Sequence, residues 1–214
     1  MRAKYVVFAV ILLMMGYVAN HNERFVVEPQ NPAWEHYGTL GWWFVLHTLA
    51  GASALLLAPL QFSDRLRRRY PKVHRIVGRI YVAGAFILAP FGAYMQYLDE
   101  GVGLSRTFTV ASTVDATLLM VTTGIAFAFA LRGRIAQHRQ WMTRSYAVAL
   151  VFFEVRVILG ITGWETLGPA VTEAVVWGCL ACSLLLADLA NHWQEIGSIV
   201  RPVRTPVALK AQPT

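Results

Sequence analysis

Six apolar stretches, at 5–19, 39–60, 76–98, 107–131, 143–162 and 171–189, leave this chain few ways to fold. A hydrocarbon core of roughly 30 Å takes about 20 helical residues to cross. Five of the stretches reach that length or come near it. The first is shorter and follows Arg2 and Lys4, which is also how a secretory signal is built. No clean small-x-small cleavage site follows it, so it is read as a retained first helix, with a cleaved signal as the alternative. The predicted fold class is all-α: a polytopic transmembrane helical bundle of six spans over residues 1–192. The remainder, 193–214, has Pro202, Pro206 and Pro213 and no apolar period, and is expected to be a mobile basic tail.

Composition agrees. Hydrophobic residues make up 56% of the chain and charged residues 14%. Disorder requires the reverse balance, and soluble domains carry about 25% charged residues. The net charge of +7 does not make a nucleic-acid binder, because the basic residues sit in short blocks between apolar runs. Arg65, Arg67, Arg68, Arg69, Lys72 and Arg75 form one block. Arg132, Arg134, Arg139 and Arg144 form another, and Arg201, Arg204 and Lys210 lie in the tail. The alternate connections hold acidic residues instead, among them Glu23, Glu28, Glu35, Asp99, Glu100 and Glu165. The positive-inside rule then predicts a bacterial inner-membrane protein with both termini cytoplasmic. The basic loops would face anionic lipid headgroups. Small residues along the spans leave homo- or hetero-oligomers open. Cys179 and Cys182, mid-span in the sixth stretch, are read as small packing residues.

Two segments resemble each other. His74-Arg75 is followed by Gly78-Arg79 and Tyr81; His138-Arg139 is followed by Trp141-Met142 and Arg144-Ser145-Tyr146. Each opens a span and each follows a span of the opposite direction, which suggests a tandem two-helix hairpin repeat, 39–98 and 107–162. Together with the stretch from His47 to Gln61, these motifs resemble the bacterial family of predicted membrane proteins catalogued as domain of unknown function 2306. The resemblance covers roughly 40–160. It implies a multi-pass membrane protein and brings no established reaction with it.

Ionisable side chains cost at least about 2.5–3.5 kcal/mol at the centre of a span, so those that occur there are candidates for function. Four do: His47, Asp115, Arg156 and Glu154. By helical rise, His47 and Asp115 lie about 12 Å, and Arg156 about 9 Å, below the outer ends of their spans. The three are expected to share one buried polar layer in the outer half of the bilayer. Helical spacing puts His47 on one face with Gly51, Ala54, Ala58 and Gln61, and Asp115 with Ser112, Leu119 and Thr122. Glu154 points nearly opposite Arg156 and needs a different neighbour. The bland alternative is a self-neutralising cluster, in which Asp115 pairs with Arg156 and His47 bonds to one of them.

Three classes of function are open. One is a haem- or quinone-linked membrane redox component. Here His74 and His138 coordinate or flank a haem b at the inner face, and Arg75, Arg79, Arg139 and Arg144 pair with its propionates. The second is a small transporter or proton relay centred on His47, Asp115 and Arg156. The third is an accessory or assembly subunit without catalysis. No metal site is expected, since His47 and Asp115 supply two ligands and a catalytic zinc needs three.

Overall fold

The computed structural model describes residues 2–22, 24–28, 30–38, 41–100, 105–193 and 195–196. Most of the tail, 197–214, lies outside these residues, and with it the expectation of mobility. Eight α-helices are described: α1 (Arg2–His21), α2 (Pro32–Tyr37), α3 (Gly41–Gln61), α4 (Asp64–Arg69), α5 (Pro71–Glu100), α6 (Arg106–Leu131), α7 (Ile135–Thr162) and α8 (Pro169–Asn191). Two short 3-10 turns, Arg24–Val26 and Trp164–Leu167, complete the described elements, and no strand occurs among them.

Helices α3, α5, α6, α7 and α8 are long and apolar enough to cross a membrane. The apolar part of α1, Tyr5–His21, is shorter. At 1.5 Å per residue, its 17 residues reach about 25 Å, just under the thickness of a hydrocarbon core. The structure therefore shows five helices of spanning length where the sequence predicts six. Even so, α1 docks on the bundle through Ile11, Met15 and Val18, which are buried one helical turn apart along one stripe.

Consecutive long helices pack side by side, and α7 is central, touching α1, α3, α6 and α8. The helices alternate in direction, which gathers the basic blocks at one end. The first basic block lies on α4 and the start of α5, where Ser63 caps α4 by accepting the Leu66 amide. The second lies on the α6–α7 turn and the first turns of α7. Phe62, after α3, meets both Phe8 of α1 and Tyr146 of α7. Asn191, at the end of α8, donates to the Gln140 carbonyl at 3.2 Å. The start of α1 and the end of α8 thus lie at this basic end too. At the opposite end, Gly163 closes α7 with a left-handed φ of 68°, which lets the chain reverse into α8.

The interior is made of small residues and the surface of large ones. Ala54, Ala58, Ala85, Ala111 and Ala126 are fully buried, whereas Leu12, Leu13, Leu49, Leu56, Leu185 and Leu186 are exposed. This inverts the soluble pattern and suits helices that associate in lipid by close backbone approach. A close approach of two backbones joins α3 and α5. A Cβ on Gly84 would lie 2.9 Å from the Ala50 carbonyl oxygen and 2.7 Å from Ser53 Oγ. Cys179 is buried as expected for a packing residue, but Cys182 is exposed. Three residues of helix turn it about 60° from Cys179, to the flank of the α8 contact face.

The close approach predicts a contrast. Gly84→Ala should destabilise the detergent-solubilised protein by about 1–3 kcal/mol, because a backbone carbonyl cannot step aside. Gly178→Ala, which meets nothing within 4 Å, should leave thermal stability unchanged or slightly raised. Scanning fluorimetry of the two variants checks this; equal melting temperatures would count against it.

Candidate functional site

Two polar layers are buried in the bundle, one in each half. The layer distal to the basic end is built on α3, α5, α6 and α7. His47, Gln96, Ser112, Asp115 and Arg156 line one cavity of about 100 Å³ there, with Leu55, Leu119 and Phe152 among its apolar walls. The structure thus brings together His47, Asp115 and Arg156, the three residues that depth and helical face placed in one layer. Each of them arises from local rules. On α3, Ala54 and Ala58 bury the face that carries His47, and on α6 Ser112, Leu119 and Thr122 are buried with Asp115.

His47 is held against α5. Its Nδ1–H donates to the Leu88 carbonyl of α5 at 3.0 Å, since a carbonyl can only accept. Gly92 makes room for the ring, as a Cβ there would sit 2.9 Å from His47 Cε1. The Arg156 guanidinium is near enough for its charge to act on His47. Asp115 differs. It is 4% exposed, and its Oδ1 is buried without a hydrogen-bond partner. Gln96 Oε1 is likewise buried and without a partner. The contacts of His47 and of Asp115 Oδ1 are therefore not those of a self-neutralising cluster. Glu154 takes the different neighbour it needed: Ser183 of α8 donates to its Oε2 at 2.7 Å. It is not among the cavity-lining residues, although its charge reaches Asp115 through the α6–α7 contact.

The second layer joins the two resembling motifs. Tyr81 OH and Ser145 Oγ lie 2.8 Å apart, and Thr123 Oγ1 lies 2.6 Å from the same Ser145 oxygen. All three residues are fully buried. Tyr146 OH donates to the Leu55 carbonyl at 3.5 Å. In the sequence, Tyr81, Ser145 and Tyr146 are letters of the two motifs with no role of their own. The signal was their helical spacing from His74 and His138, which puts them on the inward face. Nearer the basic end, His138 Nδ1–H donates to the Ala126 carbonyl at 2.9 Å. His74 lies within electrostatic reach of His138 and Arg67, and its buried Nδ1 has no partner.

The four arginines expected beside these histidines do not gather round them. Arg75, Arg79 and Arg139 are exposed. Arg144 Nε donates to Asp188 of α8 at 2.7 Å and its guanidinium stacks over Trp141, 5.1 Å from the ring centre. A haem at this end would have to draw Arg144 away from that pair. Among the described residues, no group of three or more His, Cys, Asp or Glu could hold a metal ion.

The hydroxyl layer carries a stability prediction. Tyr81→Phe should cost about 0.5–1.5 kcal/mol, because Ser145 keeps Thr123, and Ser145→Ala about 1–3 kcal/mol, because it strands the Tyr81 hydroxyl. The double variant should cost clearly less than the sum, since both changes break one network. Additive losses in chemical denaturation would show that the two hydroxyls act independently.

No curated protein matches this chain, and no solved structure matches it. Residues 44–191 match the family described as Predicted membrane protein (DUF2306). The match runs from α3 to the end of α8, beyond the stretch on which the sequence motifs lie, and it takes in both polar layers. Its bounds, the apolar helices and the inward motifs converge: this chain belongs to the DUF2306 family of predicted membrane proteins.

Proposed function

We propose that this is a six-span protein of the bacterial inner membrane that takes a small polar molecule into the cavity distal to its basic end. In this reading both termini and the basic end face the cytoplasm, α1 is retained as the sixth span, and the cavity lies in the outer half of the bilayer. His47 and Asp115 exchange protons with the guest or with water, as in a small transporter or proton relay. One observation carries the reading. Two buried acceptor oxygens, Asp115 Oδ1 and Gln96 Oε1, have no protein partner, and their residues line the same cavity as a histidine and an arginine. A buried unpaired acceptor costs about 1–3 kcal/mol, a cost that a hydrogen-bond donor in the cavity removes. A water needs about 10–15 Å³ of such space, so 100 Å³ holds several.

The floor of the cavity supports a transporter type. Leu55 and Leu119 close it toward the basic end, and the Tyr81–Ser145–Thr123 hydroxyls lie beyond them. A guest would meet polar groups on both sides of an apolar belt. The docking of α1 on α7 supports its retention, because Gly160 of α7 leaves room for the Tyr17 side chain.

Two experiments test this. With Cys179 and Cys182 replaced by Ala, Ser112→Cys should react with methyl methanethiosulfonate at least about tenfold faster than the lipid-facing Leu185→Cys, because a thiol must ionise in water to react. Equally slow reaction at both positions would mean a dry, closed site. For orientation, fluorescent protein fused to the C-terminus should fluoresce and alkaline phosphatase fused there should be inactive. The opposite pair of results would invert the topology.

A further inference from the structure

The cavity is lined by groups of both signs. Asp115 of α6 and Gln96 of α5 each keep a buried oxygen without a hydrogen-bond partner. Arg156 lies on α7, and His47 of α3 has its ring against α5, with Nδ1 committed to Leu88. A lone cation would be opposed by Arg156, and a lone anion by Asp115. A guest carrying donors and positive charge at one end, and acceptors and negative charge at the other, satisfies both.

Size narrows the class. At about 30 Å³ for each water, the cavity of about 100 Å³ has room for about three. That suits a zwitterion of five or six heavy atoms and not one with an aromatic side chain. The apolar remainder of the lining, including Leu119 and Phe152, suits a short aliphatic substituent.

We propose that the site binds a small zwitterion of the aliphatic amino-acid class, its ammonium toward Asp115 and Gln96 and its carboxylate toward Arg156. This deepens the function proposed above and rests on the cavity being open to water and solutes. The ammonium supplies the donors that Asp115 Oδ1 and Gln96 Oε1 lack, and the guanidinium supplies charge-assisted hydrogen bonds to the carboxylate.

The test uses the full-length protein, purified in detergent, with four probes at equal concentration: alanine, methylammonium chloride, sodium acetate and phenylalanine. Alanine should raise the melting temperature and slow the modification of Ser112→Cys, and the other three should do neither. Asp115→Asn and Gln96→Ala should each weaken alanine binding by about tenfold or more. Gln96→Ala removes an oxygen that has no protein partner, so it leaves the fold intact and keeps the test informative if Asp115→Asn misfolds. Protection by methylammonium or acetate as strong as that by alanine would overturn the zwitterion assignment and leave the open cavity standing. So would fast modification of Ser112→Cys that alanine does not slow. An unreactive Ser112→Cys would instead overturn the open cavity, and the zwitterion assignment with it.

Discussion

Helices in lipid gain nothing from hiding apolar surface from their neighbours, because the lipid tails are equally apolar. What holds this bundle together is close approach, and close approach requires small side chains at the contacts. Gly84 against the Ala50 carbonyl, Gly92 against His47 and Gly160 against Tyr17 are three places where one added methyl group would collide. The buried alanines of α3, α5 and α6 serve the same end. The large residues that a soluble protein would bury are on the outside here, where lipid covers them. Every polar feature of the interior depends on this geometry. His47 reaches the Leu88 carbonyl, and Tyr81 reaches Ser145, only because the backbones around them are drawn in.

A tightly packed apolar bundle is a poor place for polar atoms, so where they occur they are either bonded or left waiting. The two layers differ in this respect. In the layer nearer the basic end, Tyr81, Thr123 and Ser145 satisfy one another, and His138 is bonded to Ala126. The hydroxyl network fixes how α5, α6 and α7 sit, while His74 Nδ1 and Gln61 Nε2, nearer the basic end, keep no partner. In the distal layer, Asp115 and Gln96 each keep a buried oxygen without a partner beside a cavity. The first layer reads as architecture that joins the two motif segments, and the second as a site.

Much of this was legible in the sequence, for identifiable reasons. Span length and the placement of Lys and Arg are one-dimensional signals, and they gave the helices and the clustering of basic residues at one end. The depth of His47, Asp115 and Arg156 followed from counting residues at 1.5 Å each, and their inward direction from the small residues on the same faces. What was not legible were the pairwise contacts. Nothing in the spacing says that Arg144 meets Asp188, 44 residues away, or that Glu154 meets Ser183. Gln96 was missed because a neutral amide near a helix end carries no signal by itself. It matters only once α5 and α6 bring it to the cavity that Asp115 also lines. The length of α1 was the weak point of the sixth span, and the structure leaves it short of the other five.

The His47 and Asp115 positions are matched in depth and opposite in character. Each lies eight residues into its apolar stretch. Two like charges lining one cavity would repel, whereas a base from α3 and an acid from α6 do not. The motif residues near the basic end behave differently. Tyr81 meets Ser145, Tyr146 meets the Leu55 carbonyl and His138 meets the Ala126 carbonyl. His74 is the exception, since its buried Nδ1 has no partner. The hydroxyls of this half close on one another, whereas the oxygens of Asp115 and Gln96 in the distal half are left without a protein partner in residues that line a cavity.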